Sequence, residues 1–330
     1  MAPAFSVVLP TYNRAPMLRT ALKTVLYQTC GDWECFVVDD GSTDDTSRVL
    51  AELKDPRIKA LRNASNLGMN ASRNLAIGQA QGRFITFLDS DDLWLPKRLE
   101  AFLERAKRSP EAGFLFSNAY LYRFDRLIGL LFSPERKLPE GVVPGHYAVG
   151  DRHLPYVTTN VAILRDAFSK WGVFKTQMKT LDTELFARFL AAGLPVAALS
   201  EPLSVRRLHG GQLTDRYAEN FDEALQALES SGAAGETKED MRQELAREVA
   251  VYLLKAGRPA EARAFLVKQL GGEGRKGALY KLTFAPRAVL ALGRGLKRQW
   301  TKLRHHPAWA PPEFTAVRRL IAPLLAEERP

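Results

Sequence analysis

Cysteine is nearly absent: Cys30 and Cys35 are the two in 330 residues. Their spacing fits neither a zinc knuckle nor a CxxC redox pair, which leaves them as thiols in or near a core, in a reducing compartment. No run of about eighteen apolar residues occurs anywhere, and the start, MAPAFSVVLP, lacks the basic stretch and long apolar segment of a signal peptide. A cytoplasmic location is the expectation. Two phosphate-binding loops are missing as well. There is no GxxxxGK[ST], and the turn after the first apolar run is Pro-Thr-Tyr-Asn-Arg rather than GxGxxG, which disfavours a P-loop NTPase and a Rossmann dehydrogenase. Acidic residues fail in one place: from Arg275 to Arg304 nine basic residues meet no acidic one.

What is present is a globular composition, 46% apolar, with a formal charge of +10. The chain is long enough for one large domain or two moderate ones. In the first hundred residues Lys plus Arg and Asp plus Glu number twelve each. The excess therefore belongs to the C-terminal region, where an anionic partner would be met.

Short β-branched runs alternate with helical spacing. Residues 5–9, ended by Pro10, and 35–38 read as strands, and between them Met17, Leu18, Ala21, Leu22, Val25 and Leu26 recur on one helical face. Further strands are expected at 58–61 and 84–88, with helices running to 53 and over 71–80. This alternation favours a parallel sheet, in which ligands sit beyond the carboxyl ends of the strands. Residues 10–14, 39–43 and 89–92 should then converge on one edge. Past Pro96 the alternation weakens to a strand at 114–122, a Pro/Gly-rich loop at 134–145 and a helix at 182–192 closed by Gly193. A small polar link at 232–239 leads to helices over 241–255 and 259–270.

Two carboxylate clusters lie at strand ends. In FITFLDSDDLWLP (84–96), Asp89, Asp91 and Asp92 crowd into four positions, an arrangement that costs stability unless a cation, a helix terminus or solvent relieves it. Alternate residues of an extended segment share a side, so Asp89 and Asp91 can address one Mg2+ or Mn2+, with phosphates and water completing the shell. The bland alternative is a charged turn in which Asp92 caps the next helix. In VVDDGSTDDT (37–46), Gly41 turns the chain and Ser42, Thr43 and Asp44 cap a helix. That leaves Asp39 and Asp40 to accept from a nucleobase N–H or a ribose hydroxyl.

The segments VVLPTYNR, VVDDGSTDDT, NLGMNASRNLAI and GRFITFLDSDDLWLP, in this order, closely resemble the nucleotide-sugar half of the family 2 glycosyltransferases, over about residues 4–100 and more weakly to about 215. The resemblance implies an α/β GT-A fold, a Rossmann-like, mostly parallel sheet flanked by helices. The expected division is 1–220 for the catalytic domain, with a donor half to 100 and an acceptor half beyond it, and 221–330 for a helical, basic extension. By the same resemblance Pro10, Thr11, Tyr12 and Arg14 belong to the donor site, with Asp40 or Asp39 holding the base and Arg73 nearby. Asp89-Ser90-Asp91 looks like the family's Asp-x-Asp, Asp89 toward the ribose and Asp91 on the Mn2+ or Mg2+ that bridges the diphosphate, with Asp92 as a helix cap or support.

In KTLDTELFARFLAAG, Asp182 resembles the family's base, although Leu181 stands where a Glu is usual and a plain helix cap with Glu184 in the first turn is the rival. VRRLHGGQLTD resembles the segment that places a His, here His209, near diphosphate and metal, and Trp171 is either a sugar contact or core. The implied reaction is metal-dependent, inverting transfer from a nucleoside-diphosphate sugar, UDP first, to a hydroxyl on a glycan, lipid-linked or protein acceptor. The stretch 285–306 mixes Arg and Lys with apolar residues, as an interfacial helix on the inner face of the plasma membrane would, or a solvated basic helix. No nucleic-acid partner is expected at the acidic strand-end edge. The rival readings are a nucleotidyltransferase, which would want a Gly-rich, Lys-bearing first loop, and a non-catalytic nucleotide-sugar-binding or membrane-surface scaffold.

Overall fold

The computed structural model describes residues 2–123, 125–149, 154, 156–178, 182–209, 217–284 and 312–328. Among them a nine-stranded sheet runs in the order β3-β2-β1-β4-β8-β6-β9-β5, with β7 paired to β6. Its first half is the parallel unit read from the sequence: β1 (Phe5–Thr11), α1 (Ala15–Leu26), β2 (Trp33–Asp39), α2 (Thr46–Ala51), β3 (Ile58–Arg62), α3 (Met69–Ile77) and β4 (Phe84–Phe87). Period-two alternation loads both faces. Phe5, Val7 and Leu9 pack with Leu18, Leu22 and Val25 of α1, while Val8 joins Phe36, Val38, Ile85 and Phe87 on the other side. These strands therefore read as near-continuous apolar runs.

β1 runs two residues past its expected end, through Pro10, which pairs with Val38. The ring is tolerated because Val8, of the same parity, points its carbonyl at Leu88 N, and the β1/β4 register stops at Val8. The N–H that Pro10 lacks thus falls where the neighbour strand has already left.

Beyond β4 come β5 (Leu93–Trp94), α4 (Arg98–Arg108), β6 (Phe114–Arg123), β7 (Arg126–Leu130), β8 (Val161–Leu164), α5 (Arg165–Trp171), α6 (Thr183–Ala191) and β9 (Val196–Arg207). β8 runs antiparallel between β4 and β6, and β6 pairs in parallel with β9. Of these strands only β6 was legible beforehand. β5 and β8 are too short to show a period, and β9 carries Pro202 and register shifts opposite Ser117 and Asn118. The fully buried Arg98 links the two halves. Its Nη2 donates to Thr86 Oγ1 at 2.9 Å and to the carbonyls of Thr159 and Val161 at 3.1 Å, and its guanidinium lies 3.9 Å from the Trp94 ring centroid.

Three helices, α7 (Tyr217–Ser230), α8 (Gly235–Lys255) and α9 (Pro259–Lys276), with the short α10 (Ala278–Leu282), build a separate apolar cluster around Phe221, Val249, Leu253 and Leu266. α8 begins inside the expected 232–239 link, which is shorter than its composition suggests. α11 (Pro312–Ala326) returns to the sheet: Phe314, Val317, Ile321 and Leu325 lay one apolar stripe over Leu93, Tyr120, Leu127 and Val205. The basic stretch 285–306 lies outside the described residues. Among those described, no helix is long and apolar enough to cross a membrane.

Candidate active site

The carboxyl ends of β1, β2 and β4 do meet on one edge, and the loops there brace one another. Ser42 and Asp44 do not serve as a simple cap for α2, whose N-cap position is Asp45 without a side-chain bond. Ser42 Oγ instead accepts the Asn13 N–H at 2.9 Å, and Asp44 Oδ2 accepts the Ala15 N–H at 2.9 Å, capping α1 from the neighbouring loop. Asp44 Oδ1 still takes the Thr46 N–H at 3.0 Å. This tie fixes Arg14 and leaves Tyr12 44% exposed, with a ring face open for stacking.

The two adjacent aspartates part company. Asp40 accepts three N–H groups, from Asn63 Nδ2 at 2.7 Å, Leu67 N at 2.9 Å and Gly68 N at 2.8 Å, and so fastens the loop that enters α3. Asp39 takes the Ser42 N–H on one oxygen at 2.8 Å. Its other oxygen lies 3.3 Å from Arg62 but makes no hydrogen bond, and Thr11 Oγ1, opposite it in the β1/β2 register, has none either. Replacing Asp40 by Ala strands three donors, and we expect a loss of about 1–3 kcal/mol, read as a lowered midpoint in urea unfolding. An unchanged midpoint would mean that these bonds do not hold the loop.

The three carboxylates after β4 take three different positions. Asp91 is 8% exposed; Arg14 pairs with its Oδ2, and His209 Nε2 lies 3.0 Å from the same oxygen. Burial pushes this carboxyl up, but the His209 hydrogen bond and the Arg14 charge outweigh it and bring it down to about 2. Asp89 pairs with the buried Arg73 at 3.0 Å, and its N–H donates to Thr159 Oγ1 at 3.1 Å. Buried Ser90 lies between them. Asp92 does not start the next helix: β5 follows it, and its carboxyl accepts the Arg207 N–H across the strand pair at 2.9 Å. Burial, with Asp91 and Asp89 beside it, pushes Asp92 up to about 8. The crowding is thus relieved by the Arg73 ion pair at Asp89, by Arg14 and His209 at Asp91, and by an upward shift of the Asp92 carboxyl.

A three-ligand metal set is not assembled: among the described residues no group of three or more His, Cys, Asp or Glu side chains could hold an ion. Asp89 is turned to Arg73. Asp91 and His209 remain, a carboxylate oxygen and an imidazole nitrogen at contact distance, and this donor set fits Mn2+ or Mg2+ where substrate phosphates and water supply the other positions.

Asp182 reaches this edge by a zip between the halves. Asn70 of α3 donates to the carbonyls of Lys175 at 3.2 Å and Met178 at 2.8 Å, and Asn74 exchanges bonds with Phe174 at 2.8 and 3.0 Å. α6 is anchored by buried Glu184, which meets Lys175 at 2.8 Å, Arg188 at 3.0 Å and Ser230 Oγ at 2.9 Å. Asp182 occupies the N-cap position without making a side-chain cap bond, so its carboxyl is left for other work. Burial raises its pKa; Arg73 acts against that and Asp89 with it. The field of the donor-side residues therefore reaches Asp182. Trp171 packs on the core, 5.7 Å from Phe189.

Sequence reasoning missed Thr159, which orients the Asp89 backbone, and Arg207, whose Nε donates to the Asp91 carbonyl. Arg207 had a signal, its place two residues before His209. Thr159 had none.

Residues 6–166 match the family described as Glycosyl transferase family 2. A curated relative, UDP-Glc:alpha-D-GlcNAc-diphosphoundecaprenol beta-1,3-glucosyltransferase WfgD of Escherichia coli, is 34% identical over 131 residues, 40% of this chain and 51% of WfgD. The chain spans about half the length of the curated relatives it matches. Among solved structures, S. aureus TarS 1–349 in complex with UDP superposes with a TM-score of 0.57 at 17% identity, covering 89% of this chain and 92% of that one. Mannosyltransferase PcManGT from Pyrobaculum calidifontis in complex with GDP-Man and Mn2+ gives 0.55 at 19% identity, covering 99% and 86%. The two neighbours show the GT-A fold, and residues 6–166, which carry strands β1 to β4 and β8, are a glycosyltransferase family 2 segment.

Proposed function

We propose that the chain transfers a sugar, with inversion, from a nucleoside-diphosphate donor to a hydroxyl of a lipid-linked glycan in cell-surface glycan synthesis. The observation that carries this is the ionised Asp91 against His209, with the uncapped carboxyl of Asp182 within the field of Asp89 and Arg73. UDP is the first candidate nucleotide, because WfgD is named for a UDP-Glc donor and the TarS structure is a complex with UDP. WfgD's name also carries a diphosphoundecaprenol acceptor.

In this reading Tyr12 stacks on the base, and Thr11 and Asp39, each with a buried oxygen that makes no hydrogen bond, take its polar edge or the ribose. Pro10 shapes the pocket wall. Arg14 and Arg73 offer positive charge to the diphosphate, Arg73 while holding Asp89 toward the ribose. Asp91 and His209 would hold a divalent cation, Mn2+ or Mg2+, which when bound neutralises the charge that develops on the leaving diphosphate. Asp182 takes the proton of the acceptor hydroxyl as its oxygen attacks the anomeric carbon from the face opposite the leaving group. One base and one displacement invert the configuration.

The test is a panel of nucleoside-diphosphate sugars, scored for thermal stabilisation and for sugar release in the presence of Mn2+. One uridine or guanosine donor should raise the melting temperature only with the metal. A panel without any such donor would overturn the proposal.

A further inference from the structure

The side chain that links the C-terminal helix to the donor edge is Glu328. Arg207 is 5% exposed and ties the site to the C-terminal helix. Its Nε donates to the Asp91 carbonyl, its backbone N–H donates to Asp92 Oδ1 at 2.9 Å, and its Nη1 reaches both Glu328 oxygens at 2.6 and 2.7 Å. Glu328 stands 121 positions further along the chain, just past α11. The helix itself is held independently, by the Phe314, Val317, Ile321 and Leu325 stripe and by the pairing of Glu327 with Lys23 of α1.

Burying a guanidinium is costly, and at Arg207 the Glu328 carboxylate offsets that cost. Arg207 already touches the Asp91 carbonyl and the Asp92 carboxyl, adjacent residues at the turn into β5. With Glu328 in place, Arg207 has a counter-charge and meets Asp91 through its backbone carbonyl, while the Asp91 side chain stays with His209 and Arg14. Without Glu328, the cation would turn to Asp91 and compete for the oxygens that face His209.

We infer that Glu328 is a positioning residue of the donor site: it satisfies Arg207 and thereby keeps the Asp91 carboxylate available to the cation and diphosphate. The consequence for metal and nucleotide rests on the function proposed above. The mechanical link between α11 and the Asp91 turn does not.

Glu328→Gln keeps the size of the side chain and removes its charge. Two measurements on the full chain separate the parts of the inference. In metal-free, nucleotide-free protein, hydrogen exchange should accelerate in peptides covering 89–95 and 204–207 as well as in 312–328, with Glu328→Asp moving back toward wild type. In a titration of Mn2+ against a fixed concentration of UDP, Glu328→Gln should need roughly tenfold more Mn2+ for half-maximal binding, the low end of what outer partners of a metal site contribute. Glu327→Gln, which loosens the Lys23 pair but leaves Arg207 alone, should change neither the 89–95 exchange nor the Mn2+ midpoint. If exchange in Glu328→Gln rises only within 312–328, or if Glu327→Gln reproduces the whole effect, Glu328 has no positioning role. If wild-type protein binds no UDP with Mn2+, the proposed function fails, and the exchange result still decides the link.

Discussion

Asp91→Ala should lose metal-dependent nucleotide binding: UDP that binds wild-type protein in Mn2+ should bind the variant at least about a hundredfold more weakly, the upper end of the range for disturbing even outer partners of a metal site. The reason lies in its surroundings. Asp91 is the carboxylate that Arg14 and His209 both face, and without it the Arg14 charge is left to repel the metal while His209 loses its partner ligand. The sign of the acid response follows. A carboxyl brought down to about 2 contributes stability that is fully present above the ordinary aspartate range and fades only as pH falls toward 2. Asp92→Asn is the contrast, because an amide oxygen still accepts the Arg207 N–H and the metal pair is untouched. Calorimetric titration of UDP with Mn2+ and with EDTA reads both variants. Equal loss in Asp92→Asn would mean that the cluster acts as an undivided charge.

Asp182→Asn should separate chemistry from binding. We expect the turnover number to fall by about 100- to 10,000-fold, the usual worth of a positioned general base, with donor affinity unchanged. Because burial raises the Asp182 pKa, its ionised form is disfavoured in the folded state. At neutral pH the amide should therefore leave the melting temperature unchanged or higher, a stability gained at the cost of activity. The same shift sets the pH profile. Asp182 must be ionised to accept a proton, so the rate should fall on the acid side at a pH above the ordinary aspartate value. A variant that transfers at the wild-type rate removes Asp182 as the base.

Local chemistry made the donor half legible and hid much of the rest. FSVVL, CFVV and FITF announce buried parallel strands because both faces of the sheet are covered. Gly193, at φ +88°, closes α6 where a left-handed residue was expected. The DDGSTDD loop was readable as capping chemistry, but not that its Ser42 and Asp44 would serve α1: a side chain's partner across a sheet edge leaves no trace in spacing. The FLDSDD cluster posed the right question while its three roles depended on Arg14, Arg73, Arg207 and His209, which arrive from three other segments. Arg98 is a buried pin, and nothing in WLPKRLE reports that Thr86, Thr159 and Val161 will surround it.

The most direct test is the configuration of the product. Wild-type protein, Mn2+, an α-linked nucleoside-diphosphate sugar chosen by the donor panel and a diphosphate-lipid glycan acceptor can be followed by proton NMR of the new anomeric signal. The mechanism proposed here yields a β-linked product that forms with wild type and not with Asp182→Asn. An α-linked product, or the same β-linked product at the same rate from Asp182→Asn, would contradict it.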